Sequence, residues 1–172
     1  MTLKFSATAL ALCLFAIPAA QAHDHEMEGM EGMAMSAHPH DDASFAFGHP
    51  GKAKDAKRTV KITMNDLTFT PATVTVKAGE TVRFTIHNSS AVDHDFTLGD
   101  KPTQEAHRQE MAEAAQAGEE MHHHHDGNAA MVEAGKTATL VWTFAQPGTV
   151  EYDCNVPGHF EGGMAGVITV VP

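Results

Sequence analysis

The chain has few of several things: two cysteines, one tryptophan and one tyrosine in 172 residues, and half as many bases as acids. Its longest apolar stretch, "ATALALCLFAI" behind Lys4, falls short of the roughly 20 residues that a helical membrane span needs. With Lys4 as a positive start, Pro18, and then Ala20-Gln21-Ala22, residues 1–22 read as an export signal cleaved before His23. A retained anchor is the alternative that the short run disfavours. Cleavage removes Cys13 and leaves Cys154 alone. A single cysteine cannot form an intramolecular disulfide, so in an oxidising compartment it needs another reason to be present. Lys4 leaves too, so in the remaining 150 residues 10 bases face 22 acids, a net charge of −12. That balance excludes the basic face that nucleic acid requires and suits a protein that meets cations.

Residues 23–51, rich in Gly, Asp, Glu, Met and His, contain almost no aliphatic side chains and sustain no helical or strand period. Such a segment cannot offset its ordering entropy by burial, which predicts a mobile arm and linker over 23–58. From Thr59 the texture changes. "TVKITM", "TVTV" and "TVRFTIHN" place Val, Ile and Phe at alternate positions, as half-buried strands require, with turns at Asn65-Asp66 and Ala78-Gly79-Glu80. Pro71 is expected to start a strand, where its missing N–H does least harm. Alternation resumes in "TATLVWTF", "TVEYDC" and "AGVITVV". The break between, residues 100–128, predicts an inserted helix from about Thr103 to Ala117, with Thr103 as N-cap, Glu105 in the first turn and Gly118 past the end. Short, evenly spaced strands predict an all-β, two-sheet antiparallel sandwich over 59–172, carrying that insertion on a loop.

One loop concentrates unusual chemistry. In "YDCNVPGHFEGGM" four residues separate Cys154 from His159 and four more separate His159 from Met164, with Pro157-Gly158 turning the chain. A loop of this length can aim all three side chains at one point between two strands. Singly, a lone Cys or a Met at a strand start is usually core. Together, thiolate, imidazole and a weak axial thioether are the donor set of a blue-copper site, which lacks only a second imidazole. Thioether is a poor zinc ligand. The missing imidazole is His87 or His94. His87 breaks parity with Val82, Phe84 and Ile86 and is expected to face solvent, so His94, which opens "HDF", is preferred.

These motifs carry a resemblance. "TFTPATVTVKAGETVRFTIHNSS", "DHDFTLG" and "YDCNVPGHFEGGMAGVITV" resemble the two signature regions of the cupredoxins. With "FAFGHPGKA", "PGHFEGGM" and a His/Met-bearing insertion, the chain is most similar to bacterial periplasmic cupredoxins associated with copper tolerance. The resemblance implies a Greek-key sandwich holding one type 1 copper through His94, Cys154, His159 and Met164, in a protein located in the periplasm. Plastocyanins and azurins usually have Asn or Ser after the first ligand, where this chain has Asp95. Two roles stay open for it: a hydrogen bond near the cysteine sulfur, or a charge that favours Cu(II) and lowers the potential. A binuclear electron-entry centre needs a second Cys in the loop, and a multicopper oxidase needs several His-x-His pairs over longer folded chains, so no enzyme is expected.

Secondary copper candidates lie outside this loop. The arm holds His23, His25, Met27, Met30, Met33, Met35, His38, His40 and His49, and the insertion holds His107, Met111, Met121, His122, His123, His124 and His125. Thioether suits Cu(I) and imidazole suits both valences. Cleavage after Ala22 would also leave His25 in third position behind a free amine, a square-planar cradle for Cu(II). His107 and Met111 are four apart and share a helix face. Two functions are compatible with this reading. One is copper tolerance, in which a monomer buffers copper ions and oxidises Cu(I), with or without a copper-handling partner. The other is one-electron transfer between periplasmic redox partners.

Overall fold

A computed structural model describes residues 44–118 and 127–172, and within them the alternating segments form two five-stranded sheets packed face to face. The first sheet contains β1 (Gly48–Pro50), β2 (Arg58–Asn65), β3 (Thr68–Thr70), β5 (Thr81–Asn88) and β8 (Thr137–Phe144), in the order β1-β8-β5-β2-β3. The second contains β4 (Thr73–Lys77), β6 (His94–Gly99), β7 (Ala129–Val132), β9 (Gly148–Asp153) and β10 (Ala165–Val171), in the order β4-β10-β9-β6-β7. The expected sandwich is present, but its sheets are mixed rather than antiparallel throughout. β2 runs parallel to β5, and β4 parallel to β10. Alternation reports which face of a strand is buried and is silent on the direction of its neighbour.

The inward faces supply the core, including Phe84, Phe96, Trp142, Phe144, Tyr152 and Ile168, all essentially inaccessible to solvent. Phe96 joins the sheets: its ring lies 5.9 Å from Phe69, 5.8 Å from Phe84 and 5.4 Å from Tyr152, in the tilted and edge-on arrangements that aromatic rings favour. Gly166 is required beside this cluster, because a Cβ there would stand 2.1 Å from the Tyr152 ring. Pro71 does not start a strand. It lies in the bend where the chain leaves β3 for β4 and the second sheet, and its carbonyl accepts a 2.6 Å hydrogen bond from the Tyr152 hydroxyl.

The fold begins before Thr59. Residues 45–50 belong to the packed structure, contrary to the mobile arm expected there. β1 pairs with β8, Phe47 is buried, and its ring stacks on Trp142 at 5.4 Å and on Phe45 at 5.0 Å. His49 is therefore a strand residue, its ring exposed. Backbone bonds from Gly51 to Val141 (2.8 Å) and from Lys57 to Thr81 (3.0 Å) tie down the following strap. Two phenylalanines and three strand residues are too short a pattern to show any period, and only pairing with a distant strand gives them a surface to cover.

The inserted helix, α1, spans Lys101–Ala117. Its N-cap is Asp100, not Thr103: the Asp100 carboxylate accepts from the Thr103 backbone N–H at 3.1 Å and from the Thr103 hydroxyl at 2.6 Å. This moves the start two residues earlier, places Pro102 in the first turn, where its missing N–H and fixed φ are harmless, and leaves the first turn without an acid. Gly118 ends the helix in the left-handed conformation, φ 69°, as expected. Among the described residues no helix is long and apolar enough to cross a membrane.

Candidate metal centre

His94 opens β6, Cys154 follows the last residue of β9, and Met164 immediately precedes β10. β9 pairs with both β6 and β10, so these three strand ends meet at one end of the second sheet. The loop between β9 and β10 turns at Gly158, whose φ of +87° is disfavoured for any residue with a Cβ. It closes on itself: Cys154 N–H donates to Met164 O at 3.1 Å, and Met164 N–H donates to His159 O at 3.0 Å. On the opposite side, Asn88 shapes the approach to His94, its buried Nδ2 donating to Val92 O (2.7 Å) and Val132 O (2.8 Å).

These constraints converge three donors. His94 Nδ1 lies 3.1 Å from His159 Nδ1 and 3.7 Å from Cys154 Sγ, and His159 Nδ1 lies 3.3 Å from the same sulfur. Two donors bound to one ion, each by a bond of about 2 Å, stand roughly 3–4 Å apart, so the separations fit a shared metal. His94, Cys154 and Met164 are inaccessible and His159 is half-buried, so one imidazole edge reaches solvent. His87 is elsewhere. It is exposed on β5, with Nδ1 3.1 Å from Thr137 Oγ1.

Burial keeps two of the three donors, His94 and Cys154, uncharged before a metal binds. Burial, then repulsion from His159, holds His94 below the usual imidazole value, which favours the neutral ring that a metal requires. Burial pushes the Cys154 thiol up to about 12, against backbone N–H groups of Asp95 and Val156 that favour the thiolate. The sulfur is thus a neutral thiol until a cation displaces its proton. Asp153 beside it is pushed up to about 7 by burial and by Glu151, while the Arg108 guanidinium, 3.1 Å away, pulls it down.

Asp95 hydrogen-bonds the sulfur through its backbone N–H, at 3.3 Å, and its carboxylate turns away. That carboxylate accepts from Thr97 Oγ1 (2.8 Å), Asn155 N–H (3.3 Å) and Asn155 Nδ2 (3.3 Å), all in the interior. His107, read from the sequence as a copper candidate with Met111, lies buried beside it, Nε2 3.6 Å from Asp95 Oδ2 and Nδ1 3.5 Å from Glu110 Oε2. It is not brought to the three donors. Burial pulls His107 down, but Asp95 and then Glu110 more than offset this and raise it overall. His23, His25, Met27, Met30, Met33, Met35, His38, His40, Met121, His122, His123, His124 and His125 lie outside the described residues. Sequence reasoning did not find Asn155, Gln104 and Arg108, which surround the cysteine. They are polar residues with no spacing signal, and only the packing of α1 brings them there.

Residues 56–171 match the profile of copper binding proteins of the plastocyanin/azurin family. The chain belongs to that family. Its metal is copper, and the buried sulfur and imidazole donors suit it. This cupredoxin is 42% identical over 166 residues to the copper-resistant cuproprotein CopI of Rubrivivax gelatinosus, a match covering 92% of this chain and 93% of that protein. It is 38% identical over 151 residues to the copper-resistant cuproprotein CopI of Pseudomonas aeruginosa, covering 74% and 83%. Among solved structures it is similar to dithionite-reduced auracyanin from the photosynthetic bacterium Roseiflexus castenholzii, with TM-score 0.57 and 30% identity over 68% of this chain and 99% of that one.

Proposed function

We propose that this cupredoxin is exported to the periplasm through residues 1–22 and serves copper tolerance, holding one copper at His94 Nδ1, Cys154 Sγ, His159 Nδ1 and the Met164 thioether. Bound copper would supply a one-electron couple between Cu(I) and Cu(II). The chain's residues do the rest. Two imidazoles and a thiolate satisfy both valences, the end of the sheet holds them in one geometry across the change, and burial excludes water from all but the His159 edge. Further copper would be buffered by the His/Met-rich residues 23–40 and 121–125, and with a periplasmic redox partner taking the one electron released, Cu(I) would become the less toxic Cu(II). The supporting observation is that the likeness to the R. gelatinosus copper-resistant protein covers 92% of the chain, and so extends well beyond the matched domain at 56–171 into the His/Met-rich part.

Copper titration followed by visible absorption and electron paramagnetic resonance tests this. The expected outcome is one strongly absorbing copper and at least one more without that absorption, together with lost growth in high copper when the gene is deleted. A second reading, electron transfer, draws support from the partly exposed His159 edge, which gives a partner access to the centre. It predicts a single copper per chain, rapid reduction by a cytochrome and normal growth of the deletion strain in copper.

A further inference from the structure

β6 and β7 are antiparallel neighbours, with Thr97 opposite Ala129, and strands so placed can be joined by a turn of about two to five residues. This chain instead inserts α1, which packs on β6 and β9 and reaches the metal loop through Gln104 and Arg108. Gln104, 1% exposed, donates from Nε2 to Thr97 O at 2.7 Å and accepts at Oε1 from Asn155 Nδ2 at 3.0 Å. One turn later Arg108 donates from Nη2 to Asp153 Oδ2 at 3.1 Å, and its guanidinium carbon lies 3.5 Å from the centre of the Phe160 ring. Asp153 and Asn155 are the residues on either side of Cys154, and Phe160 is the residue after His159.

Burying the amides of Gln104 and Asn155 is unfavourable unless each finds partners, and here each partner is the other or the frame of the site. Asn155 is held from the second side by Asp95, whose own N–H donates to the sulfur. A guanidinium stacked on a ring and paired with a carboxylate fixes both groups in a way that a flexible ammonium does not.

We infer that α1 is a clamp on the metal loop, in which Gln104 and Arg108 are positioning residues that hold Cys154 and His159 in ligating geometry before copper arrives and slow its loss afterwards. The inference rests on the ligand assignment proposed above. Partners that orient ligands from outside typically change metal affinity by roughly 10- to 100-fold when removed, which sets the size of the expected effect.

The test compares wild type with Arg108→Ala, Arg108→Lys, Gln104→Ala and Phe160→Leu in the full-length protein. Phe160→Leu removes the stacking, keeps the Arg108–Asp153 pair and covers the case in which the helix variants fold poorly. Amide hydrogen exchange is read on the metal-free proteins, and loss of Cu(II) to a chelator and the visible band on the copper-loaded ones. The clamp predicts exchange at residues 154–163 faster by about tenfold in Arg108→Ala and Gln104→Ala, with β5 and β8 unchanged. It also predicts copper loss faster by a similar factor, a shifted absorption band, and no rescue by Arg108→Lys. Wild-type exchange in the loop, or a uniform increase through both sheets, would overturn it. Absence of a thiolate-to-copper band in wild type would sink the ligand assignment instead, and the metal-free exchange data would still decide the clamp.

Discussion

β5 and β6 show how two strands of similar composition come to do different work. In β5, buried Val82, Phe84 and Ile86 alternate with more accessible neighbours, and His87 ends up on the wet face. In β6 all six residues from His94 to Gly99 are buried, polar and apolar alike. The inward face of β6 packs into the sandwich through Phe96 and Leu98. Its outward face is covered by α1, whose Gln104 bonds Thr97 and whose His107 lies beside Asp95. Covering a face that would otherwise be hydrated obliges every polar group on it to find a protein partner. The partners found are the residues around His94, Cys154 and His159, so the helix that buries β6 is also the one inferred to clamp the candidate site.

The largest expected effects set the two histidines and the cysteine apart. Cys154→Ser removes the thiolate while nearly conserving volume, and the intense visible absorption of the copper-loaded protein is expected to vanish. His94→Ala is expected to abolish or radically alter it, and His87→Ala to leave band position and copper stoichiometry unchanged. A loss on His87→Ala would invert the assignment of the two strands.

Next in size is the core residue that β6 contributes. Phe96 is fully buried against Phe69, Phe84 and Tyr152, so Phe96→Ala should lower the stability of the metal-free protein by about 3–5 kcal/mol in chemical denaturation. Thr85→Ala, on the half-accessible face of β5, should change it by less than about 0.5 kcal/mol. Similar losses at both positions would mean that the two strands are not buried differently.

Protonation gives a smaller effect that distinguishes the sites by sign. The Cys154 thiol is raised from 9.0 to about 12, so it is protonated in the metal-free fold throughout the neutral range. Copper must displace that proton, and wild type should release about one more proton per copper than Cys154→Ser, with affinity rising about tenfold per pH unit in consequence. His94, held below its ordinary 6.5, is already neutral there and adds none. The same raised thiol means that the unfolded chain loses its proton first. The contribution of Cys154 to metal-free stability is therefore fully present below pH 9 and is lost as pH rises from 9 towards 12. Proton release measured in weakly buffered solution, with equal values for the two proteins, would contradict a protonated buried thiol.

What could be read from the chain divides along the same line. β5 was legible because a strand with one wet face announces its parity, and that parity assigned His87 to solvent. The loop was legible because Cys154 and His159 are close in sequence, so spacing alone carries the approach of their donor atoms. His94 was harder: its place beside the loop depends on β6 pairing with β9, and sequence offered two candidates. Burial of Asp95 and Thr97 was not legible at all, since polar residues facing water and polar residues facing a covering helix look alike in a strand pattern. Nor were Phe45 and Phe47, whose burial depends on Trp142, almost a hundred positions away.

The smallest predicted effect examines the cover directly. Asp100 caps α1 through Thr103, and removing such a cap costs about 1 kcal/mol. In Asp100→Ala the helix should fray at its first turn, one residue short of Gln104, while Arg108 and the later turns keep their places. If α1 is what makes β6 a two-faced buried strand, the local loss should appear as faster amide exchange at the β6 residues next to that turn, Gly99 beside Thr103 and Thr97 beneath the adjoining Gln104, with β5 unaffected. Should exchange rise equally in both strands, the cap would be stabilising the fold as a whole. Should neither change while the helix frays, burial of β6 would not depend on the start of α1, and its polar residues would owe their environment to the later turns alone.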